Sequence, residues 1–264
     1  MSETFLDKII AVKRARIEQQ KTETEISRLR AAAYKRRATV DGQRLAEALR
    51  REGRTNIIAE IKRASPSKGV INDTIDVAEM ARKYRDGGAA AISVLTEEDY
   101  FKGSLDDLIA VREAFDLPIL RKDFIVDEFQ VFESAAAGAD AMLLIVAALE
   151  EPQLSGLYDL ITDDLGMDAI VEVHTPFELE TAARIGAKII GVNNRNLQTL
   201  EVSLDFSREL IPFRPSGALM IAESGISTVE EIEELKSLGY DGFLIGESLM
   251  RSVDVVDSLR RLTQ

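Results

Sequence analysis

From Asn56 onward the chain repeats one pattern: a short apolar run, a turn, then a stretch with helical spacing. The apolar runs are Asn56–Lys62, Ala89–Thr96, Pro118–Asp123, Ala139–Val146, Asp168–His174, Ala187–Asn193, Ala218–Ser224 and Asp241–Gly246. Each is nearly continuous in hydrophobicity and several are rich in β-branched residues, as strands buried on both faces of a parallel sheet are. Helical spacing fills Asp76–Asp86, Leu105–Phe115, Asp127–Ala137, Pro176–Ile185 and Thr228–Leu238. Gly87-Gly88, Gly138, Gly186 and Gly239 close several of these stretches, where a helix favours glycine just past its end.

Eight strand–helix alternations in about 200 residues predict an α/β protein of the (β/α)8 TIM-barrel class. A doubly wound open sheet is the alternative, but no G-x-G-x-x-G follows the first strand to mark a dinucleotide fold. Residues 1–54 precede the first strand and read as an N-terminal helical extension. Their opening, MSETFLDKIIAVKRARIEQQ, carries Glu3 and Asp7 and lacks a small-residue cleavage site, so an amphipathic helix is expected and not a signal peptide. No linker splits residues 1–264, so one barrel domain is expected. Gln264 lies soon after the last helical stretch, and no fused domain is expected beyond it.

Composition narrows the chemistry. The 264 residues include 46 Asp or Glu, 33 Lys or Arg, one His and no Cys. Without cysteine there is no disulfide frame, thiolate nucleophile or Cys-ligated metal, and one His rules out a multi-histidine metal site. A net charge of −13 disfavours nucleic acid and anionic lipid as partners. The longest apolar candidate, Ala139–Leu149, is too short to span a bilayer. The expected location is cytoplasmic. A monomer is expected, since no long apolar surface helix stands out. The charge is uneven: residues 1–54 carry 14 basic and 8 acidic side chains, the rest 19 and 38. Arg28, Arg30, Lys35, Arg36 and Arg37 are expected to form a solvated face that complements the acidic body.

In a barrel of this class the active site lies at the C-terminal strand ends, and inward residues share parity. Polar residues there are conspicuous. The first strand ends with Glu60 and Lys62 on one face, which alone reads more readily as a self-satisfying pair than as chemistry. The third strand ends in Arg121, Lys122 and Asp123, so either Arg121 or Lys122 faces the pore. The fifth places Glu172 between two valines and on the same face as His174, which is expected to be a hydrogen-bonded rim residue. The sixth puts Asn193 and Arg195 on one face. Glu223-Ser224-Gly225 and Gly246-Glu247-Ser248 end the seventh and eighth. Glycines at those two ends suit a phosphate site, where backbone N–H groups approach the anion closely. The mouth is thus expected to set Lys62, Lys122 and Arg195 against Glu60, Glu172 and Glu223. Such a mixture suits acid–base work on an anionic, phosphorylated small molecule without a metal.

Six ordered segments, IIAEIKRASPSKG (57–69), LRKDFIVDEFQ (120–130), VEVHTPFELE (171–180), IIGVNNRNL (189–197), IAESGI (221–226) and FLIGESLM (243–250), closely resemble indole-3-glycerol phosphate synthase. FLDKIIAVKR resembles that family's opening helix. The resemblance implies a lyase of tryptophan biosynthesis with no metal or organic cofactor. The implied reaction turns 1-(2-carboxyphenylamino)-1-deoxy-D-ribulose 5-phosphate into indole-3-glycerol phosphate, CO2 and water. By motif, Lys122 resembles the general acid and Lys62 the residue that holds the substrate carboxylate. Glu172 resembles the carboxylate that stabilises or deprotonates the intermediate. Glu60 and Asn193 resemble its acid–base and positioning partners, with Glu223 in support. Ser65, Ser224, Gly225, Gly246 and Ser248 resemble the phosphate cradle, and Arg195 a contact to the substrate body. Ala64 stands where some members carry a basic residue, so no phosphate contact comes from that side chain. Leu143, Leu144, Phe124 and Ile125 are expected as apolar walls. The alternatives are a neighbouring phosphate-binding barrel, such as a phosphoribosyl anthranilate isomerase, and a barrel that binds a phosphorylated metabolite without turnover.

Overall fold

The structure, a computed structural model, describes residues 4–40, 42–196 and 199–264. Glu3 and Leu197, both used in the sequence reading, lie outside the described residues. Eight parallel strands close into a barrel in sequential order. They are β1 (Ile57–Ile61), β2 (Ala91–Leu95), β3 (Ile119–Lys122), β4 (Ala141–Ile145), β5 (Asp168–Val173), β6 (Ile189–Asn193), β7 (Leu219–Glu223) and β8 (Gly242–Ile245). Each falls inside a predicted apolar run, and the open-sheet alternative is overturned by closure: β1 pairs with both β2 and β8.

Register explains the interior. Across neighbouring strands Ile58 pairs with Leu244 and Ala91, Leu120 with Ala141, Leu143 with Ile170, and Ile189 with Leu219. These residues share one parity and pack together inside the barrel. The opposite parity, including Ile57, Ala59, Ile92, Val94, Val171 and Met220, packs outward on the surrounding helices. Following the inward parity two or four residues further along several strands gives Glu60, Lys122, Glu172, Asn193 and Glu223. The apolar layers fill the lower barrel, and the functional layer is their continuation at the mouth.

The helices begin where short polar side chains cap them. Asp76, Ser104, Asp127, Thr175 and Thr228 each accept a backbone N–H of the first turn, and Thr228 with Glu231 completes a capping box. Gly138 and Gly239 end their helices at φ 102° and 113°, a conformation costly for any residue with a Cβ.

Three helices precede the barrel: α1 (Phe5–Glu23), α2 (Ile26–Arg37) and α3 (Arg44–Leu49). Buried Leu6, Ile9, Lys13 and Ile17 form one stripe of α1, which lies at the mouth. Leu45, Ala46 and Leu49 of α3 join the inner core at the opposite end and close the base. The basic stretch is only partly the solvated face expected. Arg28, Arg30 and Lys35 are exposed, but Arg37 is buried. Its guanidinium donates to the carbonyls of Leu165 (3.0 Å) and Gly166 (2.8 Å), so it ties α2 to the turn before β5. These fixed carbonyls satisfy most of the donors of the buried guanidinium, and Asp140 Oδ1, 3.9 Å from its Nη1, supplies a countercharge. Among the described residues no helix is long and apolar enough to cross a membrane.

Candidate active site

A cavity of about 710 Å³ opens at the C-terminal strand ends. All twelve residues singled out as site residues, Glu60, Lys62, Ser65, Lys122, Glu172, Asn193, Arg195, Glu223, Ser224, Gly225, Gly246 and Ser248, meet at this end of the barrel, and all but Glu223 line the cavity itself. Glu223 is completely buried just beneath, bonded to Lys122.

Lys122 organises the layer. Its Nζ donates to Glu223 Oε2 at 2.7 Å and lies 3.6 Å from Glu60 Oε2. Glu60 Oε1 is 2.7 Å from Lys62 Nζ, so two lysines share three carboxylate oxygens across β1, β3 and β7. The Glu60–Lys62 contact is a pair, as its spacing allows, but Lys122 joins it to the rest. Arg121, with outward parity, is buried instead among Glu133 (2.7 Å), Ser134 (3.0 Å) and Thr96 (3.0 Å). This settles which of the two basic residues faces the pore.

Charge states follow from burial and neighbours. Burial opposes ionisation of Glu60, yet Lys62 and Lys122 outweigh it and hold this carboxyl below its usual range. Burial also opposes the charge on Lys122, but Glu223, Glu60 and Glu172 raise it well above the ordinary lysine value. Glu223 is pushed up by burial, against the pull of Lys122 and with Glu172 and Glu60 adding to the rise. Its Oε1 has no hydrogen-bond partner and lies over Gly191, where a Cβ would collide with it. Glycine at 191 is therefore what admits this carboxylate. Gly246 does the same for Glu60.

His174 bonds Glu178 through Nδ1 at 3.3 Å, and its Nε2 lies 3.4 Å from Glu172 Oε1 without hydrogen-bond geometry. Burial works against its charge, but Glu178 and Glu172 outweigh burial and raise its pKa. It is a rim residue braced between carboxylates. Asn193 Oδ1 accepts the Arg195 N–H at 3.0 Å, and Arg195 Nη1 reaches Ser67 Oγ at 3.1 Å. The β6 end is thereby tied to the loop after β1.

Directly after β7, Ser224 and Gly225 adopt φ 68° and 79°. The left-handed value is unfavourable for serine, and such strain collects at functional turns. β8 lies between β7 and β1, so Gly246 and Ser248 neighbour both Gly225 and Ser65. Ser65 Oγ is buried without a partner and lines the cavity. These donors form a cradle suited to an oxyanion.

Of the apolar walls expected, Leu143 and Phe124 line the cavity, while Leu144 and Ile125 belong to the outer core. Leu144 has the outward parity of β4, and the chain turns away after Phe124. The sequence reading missed Lys68 and Arg251, two cations on the cavity wall, and the apolar cover from Phe5, Leu6 and Ile9 of α1. Lys68 stands in the ASPSKG segment, which was the available signal. The α1 contribution has no local sequence signal. No group of three or more His, Cys, Asp or Glu among the described residues is arranged to hold a metal ion.

Interlocked lysines and carboxylates at the mouth of a closed parallel barrel mark a (β/α)8 barrel of the class that carries its active site at the C-terminal strand ends. The family model for indole-3-glycerol phosphate synthase matches residues 6–262. A protein of that name from Carboxydothermus hydrogenoformans is 46% identical over 254 residues, covering 95% of this chain and 96% of its own. Another from Desulfosudis oleivorans is 52% identical over 211 residues, 80% of each chain. The chain belongs to the indole-3-glycerol phosphate synthase family. Among solved structures, 3-hexulose-6-phosphate synthase from Salmonella typhimurium superimposes with a TM-score of 0.64 at 16% identity, over 79% of this chain and 96% of that one. Thiamine phosphate pyrophosphorylase from Pyrococcus furiosus gives 0.59 at 18% identity, over 83% and 95%. At such identities the likeness concerns the fold alone.

Proposed function

We propose that the cavity closes the ring of 1-(2-carboxyphenylamino)-1-deoxy-D-ribulose 5-phosphate, then removes CO2 and water to give indole-3-glycerol phosphate. The observation that carries this reading is Lys122, a buried ammonium held by Glu223 and Glu60 at the centre of the mouth.

The substrate is an anion at both ends, and the cavity offers cations and backbone donors to match. Ser65, Ser224, Gly225, Gly246 and Ser248 take the phosphate, with Lys68 and Arg251 as further cations on the same wall. Lys62 takes the carboxylate on the aromatic ring, and Arg195 contacts the substrate body. This fixes the ring carbon that bears the carboxylate against the ketone carbon.

When that bond forms, negative charge develops on the ketone oxygen. Lys122 neutralises it and donates a proton, turning the oxygen into a hydroxyl. The carboxylate then leaves as CO2, and its bonding electrons restore the aromatic ring. Lys62, released once the carboxylate has left, donates the proton with which the hydroxyl departs as water. Glu172 stabilises the cationic intermediate and removes the remaining proton to complete the indole. Glu60 and Asn193 orient these groups, and Glu223 holds Lys122 on line. Leu143 and Phe124 give the apolar surface against which the charged carboxylate is less favoured than neutral CO2.

The same reading treats the chain as one barrel domain with residues 1–54 as its extension, working as a cytoplasmic monomer that binds no nucleic acid. The test is direct. Purified protein mixed with the substrate should develop indole fluorescence, and folded protein that yields none refutes the proposal.

A further inference from the structure

We infer that Lys13 of α1 is a positioning residue for Lys122, acting through Asp123, so that the N-terminal helix sets the proton donor as well as covering the cavity. The inference rests on Lys122 being that donor.

Lys13 is only 4% exposed, which is rare for a lysine. Its Nζ lies 2.9 Å from Asp123 Oδ1 and 2.9 Å from Glu98 Oε2. Burial would strip its charge, but Asp123 and Glu98 outweigh burial and keep it an ammonium. The lysine thus joins three separate elements: α1, the end of β3 and the loop after β2.

Asp123 directly follows Lys122 and is itself buried. Its Oδ1 also accepts the Phe124 N–H at 2.8 Å, while Oδ2 accepts Thr96 Oγ1 at 2.7 Å and Arg121 Nη2 at 3.2 Å. Both sequence neighbours of Lys122 are therefore locked into an outward, buried ion network. Thr96 N donates to the Lys122 carbonyl at 3.1 Å and fixes the backbone between them. With both flanks held outward, the Lys122 side chain has only the mouth to enter. Among the described residues, Lys13 supplies the one cation at Asp123 Oδ1. Without it, a buried carboxylate oxygen keeps a single neutral donor, and the end of β3 must relax or admit water.

The helix is placed precisely enough to transmit this. Arg16 pairs with Glu98 and, at 2.9 Å, with Asp99. The Phe5 ring meets Tyr100 edge-on at 5.0 Å. The receiving loop is held by Glu97, whose carboxylate accepts the N–H groups of Tyr100 (2.8 Å) and Phe101 (3.1 Å).

The test is a kinetic double-mutant cycle in the full chain with Lys13→Met and Lys122→Ala. Wild-type turnover and its loss in Lys122→Ala establish the proposed reaction independently. Lys13→Met is expected to lower kcat roughly ten- to a hundredfold, the scale of a displaced catalytic group, with KM within about threefold. In the Lys122→Ala background the same change should lower the residual kcat less than about twofold, because the group it positions is already gone. A helix that merely supports the fold or walls the cavity predicts the same loss in both backgrounds, and that result overturns the inference. So does an unchanged kcat in Lys13→Met. If Lys13→Met fails to fold, Lys13→Gln, which removes the cation but keeps a hydrogen-bond donor, carries the same cycle and is judged by the same two outcomes.

Discussion

Lys122 Nζ and Glu223 Oε2 are 2.7 Å apart, although their strands, β3 and β7, stand on opposite sides of the barrel. The contact spans the mouth. It is possible because Gly191, on β6, leaves room for the other oxygen of Glu223.

Gly191→Ala should therefore injure catalysis more than folding. The new methyl meets Glu223 Oε1 and lies 3.0 Å from Ile170 Cγ2. Overpacking of this kind costs about 1–3 kcal/mol. We expect kcat to fall by at least about tenfold as the carboxylate and Lys122 shift. Steady-state kinetics beside a thermal melt checks this, and a variant with full kcat would show that Glu223 does not hold the lysine.

Gly225→Ala should act on substrate binding. The position has φ 79°, and an added Cβ would press on Val202. We expect KM to rise about tenfold or more, the loss of one good anion contact, with a smaller change in kcat. Inorganic phosphate should inhibit the wild type competitively and the variant more weakly. Equal inhibition of the two would remove Gly225 from the phosphate cradle.

Much of this site was readable in the sequence, for a physical reason. A buried parallel strand has period two, so the inward face of β1, β3, β5, β6 and β7 could be extended past the apolar layers to Glu60, Lys122, Glu172, Asn193 and Glu223. Parity separates Leu143 from Leu144 only once the inward residue of β4 is known, so both were expected as walls. It left Arg121 and Lys122 ambiguous, because fixing the inward parity of so short a strand requires knowing that Leu120 packs inside. Long-range partnerships were not legible. Nothing near Arg37 signals the Leu165 and Gly166 carbonyls that bury it, and nothing near Lys13 signals Asp123. Both depend on how the N-terminal helices dock, which is set by the whole barrel.

Stability should depend on pH through Asp168 at the base. Its Oδ2 accepts the N–H groups of Leu45 (2.8 Å) and Ala46 (3.2 Å) of α3. Burial nevertheless pushes its pKa up to about 6, against those two donors and with Asp140 adding to the rise. A carboxyl raised on folding contributes stability that is full below about pH 4 and lost as pH rises through 6. Asp168→Asn keeps an acceptor and abolishes the titration. Denaturant unfolding should find the variant level with the wild type near pH 4 and more stable by about 1–3 kcal/mol near pH 8. Its kcat should be unchanged, since the residue lies at the end of β5 away from the mouth. Equal destabilisation at both pH values would contradict this account.

The central claim is that Lys122 is the proton donor, and the turnover of Lys122→Ala tests it most directly. Removing a general acid that also neutralises developing charge should lower kcat by about 10²–10⁴-fold. Indole fluorescence from the substrate measures it, with circular dichroism confirming that the barrel survives. A folded Lys122→Ala enzyme that keeps kcat within a few-fold of the wild type would contradict the account.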